Sequence, residues 1–304
     1  MGDHVALLSN PQSGKGRGAA TARLALARLH DHGVEVRVYE GGSAAETGRL
    51  ARDAVAAGPS VLIVVGGDGT LSGILDVVCA SALPVALVPA GTGNDLARAL
   101  GLPRHDPAAA VDIAVTGRRR AIDVGVIRTP TREALFLTIA ALGFDAKVSD
   151  RTNRLRWPHG RLRYYLAVIV ELLRLRPMEF SVSIDGSPVT RSPGTLVAVG
   201  NTASYGGGMP LCVGAAADDG LLDVVQVEPL TRARLVRLFP LLLQGRHLAR
   251  PEVARRRARS VTVSAPDLVV YADGERIGER ECRLGVRPGA LTMMVPSASE
   301  TTDA

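Results

Sequence analysis

The sequence predicts an α/β N-terminal domain built on a doubly wound parallel sheet, followed by a C-terminal β-rich domain, an antiparallel sandwich. Three observations predict it. The first 125 residues alternate short apolar runs with helix-length stretches, the pattern of successive β-α units. One of those runs, Val61–Val65, is apolar at every position, as a strand covered on both faces must be. After about Asp123, strand signals separated by turn residues dominate, and only two helical stretches interrupt them.

In chain order, Val5–Leu8 is predicted as a strand running into the Gly-rich loop Asn10–Gly18. A helix over Ala19–His30 carries Leu24, Leu26 and Leu29, with Gly33 just past its end, where left-handed backbone is needed. Val34–Tyr39 is a strand, Glu46–Ala57 a helix, Val61–Val65 a strand and Gly66–Thr70 a loop. Leu71–Ala80 is a helix, Val85–Val88 a strand, and a short helix over Asn94–Leu100 is stopped by Gly101 and Pro103. Beyond these, Ala121–Ile127, Ala134–Ile139, Phe180–Ile184, Thr195–Val199, Leu222–Val227, Val261–Val263, Leu268–Tyr271 and Leu291–Val295 read as strands. Arg161–Leu175 and Arg232–Gln244 read as helices, and the tail Ser297–Ala304 as disordered.

With 46% hydrophobic and 22% charged residues the chain is globular, and with 3% aromatics its core must come from Leu, Val, Ile and Ala. The net charge is +6, and all but two of the 36 basic residues (Lys15 and Lys147) are arginine. That excess suits anionic partners. Nucleic acid is excluded among them, since there is no zinc-ligand spacing and too few aromatics for a stacking platform. Cys79, Cys212 and Cys282 are far apart and odd in number, so they read as buried thiols of a reducing compartment. Asp3 stands where a signal peptide carries positive charge, and no run reaches the ~18 apolar residues of a membrane helix. These features predict a cytoplasmic protein whose contact with any membrane is peripheral.

The loops after the first, third and fourth predicted strands carry the chemistry, because open parallel sheets bind ligands beyond the carboxyl ends of their strands. The first holds Asn10, Pro11, Gln12, Ser13, Gly14, Lys15 and Gly16. It is either a flexible turn or a place where backbone N–H groups and the following helix end meet phosphate. The second, Gly66-Gly67-Asp68-Gly69-Thr70, sets one acid among glycines, which suits phosphate contact only if a cation intervenes. Asp68 is therefore read as a Mg²⁺-binding or catalytic residue. In the third, Thr92 could bond a phosphate, while Asn94 and Asp95 serve either the ligand or the cap of the short helix.

The set NPQSGKG, GGDGT and PAGTGNDLAR, in that order and spacing, resembles the catalytic domain of diacylglycerol kinases, in the branch of soluble bacterial lipid kinases. GGDG by itself also fits NAD kinases and 6-phosphofructokinases, which share this sheet. The resemblance continues through Asn201-Thr202, Gly206-Gly207-Gly208-Met209-Pro210 and Asp218-Asp219-Gly220-Leu221-Leu222-Asp223. It implies a structural Mg²⁺ held by Asp219 and the backbones of Ala216 and Leu221, although a plain turn would look similar. Asp273-Gly274 between two alternating runs is a hairpin turn; the resemblance adds that Glu275 is the general base. The change of pattern sets domains over residues 1–125 and 126–284, and the resemblance implies that 285–304 returns to the first. At the end of the second strand, where the family commonly has Thr, this chain has Glu40.

The implied activity is transfer of a phosphoryl group from ATP to a lipid hydroxyl, with diacylglycerol as acceptor. The rivals are a sphingoid or ceramide kinase, a soluble-metabolite kinase of the NAD kinase type and a non-catalytic nucleotide sensor. The stretch Arg151–Arg176 mixes Trp157, Tyr164 and Tyr165 with seven arginines. It is either a helix packed on the sheet with solvated arginines or a face that lies on an anionic bilayer. The expected partners are thus a lipid substrate and an anionic membrane surface, and the sequence is compatible with a homodimer.

Overall fold

The computed structural model describes residues 4–155, 157 and 161–297, without the side chains of Lys15, residues 161–165 and Val168. It divides into an N-terminal unit, Met1–Val124 with Pro288–Ala304, and a C-terminal unit, Gly125–Arg287. The first contains β1 (His4–Ser9), α1 (Ser13–Asp31), β2 (Glu35–Glu40), α2 (Ala44–Ala56), β3 (Leu62–Gly66), α3 (Asp68–Ser72), α4 (Leu75–Ser81), β4 (Val85–Pro89), α5 (Asp95–Ala99) and α6 (Pro107–Thr116). Strand β5 (Arg118–Arg128) carries the chain into the second. There follow β6 (Glu133–Phe136), β7 (Ile139–Gly143), α7 (Phe144–Arg154), α8 (Arg161–Leu173), β8 (Met178–Ile184), β9 (Thr190–Gly194) and β10 (Leu196–Gly200). Then come β11 (Leu222–Val227), α9 (Arg232–Leu243), β12 (Val253–Ala258) and β13 (Ser260–Ala272), and β14 (Glu275–Val295) leads back.

In the N-terminal unit the strands run β2-β1-β3-β4, and the end of β14 adds beside β4, all parallel. Strand side chains alternate between faces. Val5, Leu7, Ile63, Val65, Ala86 and Val88 pack on one side with Ala25 and Leu29 of α1 and Val111 of α6. Ala6, Leu8, Leu62 and Leu87, fully buried, occupy the other, where α2 and α4 pack on each other. Helices on both faces make the sheet doubly wound, as the continuous apolar runs predict.

The C-terminal unit is antiparallel, in the order β12-β11-β10-β7-β13, with β8 on β13, β9 on β8 and β6 on β5. Phe136, Leu142, Phe180, Val197, Val224, Val263, Val270 and Leu284 share its core. Leu238 of α9 joins a second cluster with Leu196, Ala198 and Val225.

Several predicted elements change. Helix α1 begins six residues before the expected Ala19, because Asn10 starts the turn at once: its Oδ1 accepts from Gln12 N and its carbonyl from Ser13 N. The loop Gly66–Thr70 ends at Gly67, where α3 starts. The run Ala134–Ile139 divides into β6 and β7 because the N–H groups of Leu137 and Thr138 donate to Asp273 instead of to a neighbouring strand. Val261–Val263 and Leu268–Tyr271 are one strand, β13, whose pairing shifts around Pro266, a residue with no N–H to give. Leu291–Val295 is only the end of the 21-residue β14. Helices α6 and α7 and the mostly exposed edge strands β9 and β12 were not anticipated. Residues 298–304 of the tail lie outside the described residues, as do the side chains of Tyr164 and Tyr165. Among the described residues no helix is long and apolar enough to cross a membrane.

Candidate active site

The register of β1, β3 and β4 brings the three loops together, since Ser9 lies opposite Val65 and Gly66 opposite Pro89. Glycine then allows an approach no other residue could make. A Cβ on Gly67 would stand 2.7 Å from Gly91 Cα, and one on Gly91 only 2.5 Å from Gly67 Cα. Gly14, at φ +59°, leaves 1.8 Å between a Cβ and the Ala90 carbonyl oxygen. Arg17 fastens the first loop to the third, its Nε donating to Gly14 O at 3.1 Å and its Nη2 to Gly91 O at 2.9 Å. Spacing alone did not single out this arginine, because its partner lies 74 residues away.

The predicted residues take distinct parts in this cradle. Asp68 sits at the start of α3 and reaches across to α5, where Oδ2 accepts from Asp95 N at 3.0 Å and Oδ1 from Leu96 N at 3.1 Å. Asn94, in left-handed conformation at φ 51°, precedes α5 and gives its Nδ2 to Gly91 O. Its Oδ1 is buried without a hydrogen-bond partner among the described residues, as is the Ser9 hydroxyl at the end of β1. Asp95 is buried beside Arg98, Thr92 is exposed, and Thr70 packs directly over Gly66. Asn10, Pro11 and Ser13 form the turn into α1, with Lys15 in its first turn. Gly69 is exposed, and Glu40 stands exposed at the end of β2.

The close-packed glycine backbone suits a phosphate ester, and of the two orphaned atoms the Ser9 hydroxyl can donate to a phosphate oxygen while Asn94 Oδ1 can accept from a nucleotide's hydroxyl or amino group, so the cradle fits a nucleotide. The Asp68 carboxylate fits a cation as well, since it is an anionic oxygen donor set among the glycines of the loop.

In the C-terminal unit, the resemblance draws on two places. Asp219 folds into a local turn, Oδ1 accepting from Leu221 N at 3.0 Å, while Oδ2 pairs with Arg257 of β12. Ala216 and Leu221 lie on either side of it, half-buried. Neighbouring Asp223 is 1% exposed and held by Arg255 Nε at 2.6 Å; burial pushes its carboxyl upward against that pull. Arg257 is 45% exposed, so a cation with Asp219 as ligand would displace a weakly held counter-ion. Asp219 fits that role.

The second place is the β13–β14 hairpin. Ala272 pairs with Glu275 across Asp273 and Gly274, both at positive φ, so the tight turn read from Asp-Gly is present. Asp273 does more than turn. Its carboxylate accepts from Leu137 N (2.8 Å), Thr138 N (2.8 Å) and the Thr138 hydroxyl (2.6 Å). Asn201 completes the anchor, with Nδ2 donating to Leu137 O and its backbone N–H to Thr138 O. Glu275 itself is 57% exposed, 3.8 Å from Arg132. The turn thus fixes the backbone of an exposed carboxylate whose ion-pair partner is Arg132. The anchoring role of Asp273 escaped the sequence because its partners lie about 135 residues upstream.

Glycine-built loops at the ends of parallel strands serve phosphate chemistry, and fold and site together define a phosphotransferase of the kinase class. Residues 4–127 match the family described as "Diacylglycerol kinase catalytic domain", and residues 138–295 the "YegS C-terminal NAD kinase beta sandwich-like domain". The chain is 44% identical over 293 residues to the "Diacylglycerol kinase" of Mycobacterium tuberculosis strain H37Rv, covering 96% of this chain and 95% of the relative. It is 33% identical over 292 residues to the "Probable lipid kinase YegS-like" of Pseudomonas aeruginosa strain UCBPP-PA14, covering 94% and 93%. A crystal structure of a diacylglycerol kinase from Bacillus anthracis shares the fold at TM-score 0.71 and 20% identity, over 97% of this chain and 98% of that one. An NAD kinase from Archaeoglobus fulgidus in complex with ATP does so at TM-score 0.54 and 15% identity, over 96% and 93%. The chain belongs to the diacylglycerol kinase catalytic-domain family; it is an enzyme of that type, a lipid kinase.

Proposed function

We propose that this kinase takes its phosphoryl group from ATP and that its acceptor is diacylglycerol, giving phosphatidic acid. The observation that carries the nucleotide reading is the Gly67–Gly91 contact, together with Asn94 Oδ1 and the Ser9 hydroxyl, which have no hydrogen-bond partner among the described residues. The name of the 44% identical relative supports the acceptor. Asn10, Pro11, Ser13, Gly14, Lys15, Gly66, Gly67, Gly69, Thr70, Thr92, Asn94 and Asp95 would hold the nucleotide. Asp68 would hold a Mg²⁺ ion, which neutralises phosphate charge as transfer proceeds. Asp219, with the carbonyls of Ala216 and Leu221, would hold a second, structural one. Glu275 accepts the proton of the acceptor hydroxyl on its exposed carboxylate, and the Asp273 anchor keeps that carboxylate in place. The enzyme meets its lipid at an anionic membrane surface.

Transfer of label from ATP to a panel of diacylglycerol, sphingosine and ceramide in anionic micelles, with NAD in solution, tests the reading. Label is expected on diacylglycerol. Label on NAD, or on a sphingoid base ahead of diacylglycerol, overturns the acceptor. In the same assay Glu275→Gln should lower kcat by about 10²–10⁴-fold with melting temperature unchanged. A normal kcat would remove Glu275 as the base.

A further inference from the structure

The arginine-rich stretch does not form only a flat surface. Helices α7 and α8 and the segment leading into β8 enclose a cavity of about 410 Å³, within the range of about 300–1,000 Å³ of small-molecule sites. Five cationic side chains line it against two carboxylates. The carboxylates are already matched. Glu171, 8% exposed, pairs with Arg151, and Asp150 pairs with Arg154 at 2.9 Å while accepting from the Tyr271 hydroxyl at 3.1 Å. Lys147, Arg174 and Arg176 remain, and among the described residues none of them has an acid within ion-pair distance. Three unmatched cations around one hollow repel one another unless an anion joins them.

The neighbouring surface names the rest of the ligand. Leu175 lines both this cavity and a second hollow of about 520 Å³, whose wall includes Pro177, Pro229 and Leu230. A polar, cationic chamber sharing a leucine wall with a hollow that is apolar except for Thr231 and Arg232 suits a molecule with an anionic head and a hydrocarbon chain. Arginine offers the bidentate geometry that phosphate oxygens accept.

We propose that the α7–α8 cavity is a binding site for the phosphate group of an amphiphilic ester, with Lys147, Arg174 and Arg176 as its ligands. The anion site stands on its own residues; only the apolar part of the ligand rests on the lipid-kinase reading. Its occupant is a phosphorylated or anionic lipid, and the site is separate from Glu275 and Asp68 in the residues it uses.

Isothermal titration of the full chain without ATP tests this, independently of turnover. The probes are dihexanoyl phosphatidic acid below its micelle concentration, inorganic phosphate, and dihexanoylglycerol as the neutral control. Wild type and Glu275→Gln should bind the phosphatidic acid alike, whereas Arg174→Gln/Arg176→Gln, and separately Lys147→Gln, should each bind it about ten-fold more weakly. Affinity for dihexanoylglycerol should not change. Arg174 and Arg176 are exposed, so their replacement leaves the core intact, and Arg174→Lys/Arg176→Lys should restore part of the affinity. Inorganic phosphate binding as tightly as the ester would overturn the lipid assignment while keeping the anion site. Binding unchanged in both charge-removing variants would overturn the site, whatever the kinase assay shows.

Discussion

We propose that Asp68 serves two ends with one carboxylate. It caps α5 through the N–H groups of Asp95 and Leu96, and in the proposed function the same carboxylate also holds magnesium. The two parts separate by substitution. Asp68→Ala should lose the cap, costing about 1 kcal/mol, together with activity. Asp68→Asn can still accept an N–H, so it should melt near wild type yet transfer little label; wild-type turnover would leave the carboxylate a purely structural role. Asp145 gives a pH effect at the same scale. At 9% exposure, its carboxyl is pushed up to about 7 by desolvation, against the hydrogen bonds from Ala146 N and Tyr205. The folded state then holds a proton that the unfolded chain releases near its ordinary 3.8. This stabilising contribution is complete below that value and is lost as pH rises towards 7, with a slope of up to roughly 1.4 kcal/mol per pH unit. Urea unfolding across pH 4–8 should show that slope in wild type and a flatter curve in Asp145→Asn. Identical curves would mean Asp145 is ionised in the fold.

At the scale of elements, the loop before β11 and the edge strand β12 form one electrostatic unit. The exposed strand places Arg255 and Arg257 over Asp223 of β11 and Asp219 of the loop, so these two acids are paired with arginine before any metal arrives. A magnesium ion at Asp219 must therefore compete with Arg257. The wild-type melting temperature should rise with magnesium, the rise should be larger in Arg257→Gln, and it should vanish in Asp219→Asn. Melting indifferent to magnesium in all three would remove the structural metal. Strand β12 itself reads Val-Ala-Arg-Arg-Arg-Ala, which lacks the alternation of a half-buried strand; it forms because the backbone of β11 offers it a ladder.

For the whole molecule, charge and substrate point the same way. With a net charge of +6, we propose that this lipid kinase attaches transiently to anionic bilayers. Each basic residue at such a surface contributes ~1 kcal/mol, and salt screens it within about a Debye length. Sedimentation with anionic vesicles should fall steeply between low and physiological salt, and neutral vesicles should bind little. Equal binding to both would defeat the electrostatic attachment.

Local chemistry made the sheet and its loops legible. Apolar runs, the glycines of GGDGT and PAGTGND, and the Asp-Gly hairpin each act within a few residues, so the sequence alone predicted the parallel sheet, the cradle and the turn before Glu275. Helix α6 was legible in the same way and was passed over, since Asp106 caps it and Pro107 opens it. The tertiary structure decided what depends on residues far apart in the chain. It set Asp68 on the end of α5, Asp273 on Leu137 and Thr138, Arg257 on Asp219, and Lys147 beside Arg174 and Arg176. A lone polar side chain carries no periodicity that names its partner; only the register of the strands and the packing of the helices bring the two within hydrogen-bond reach.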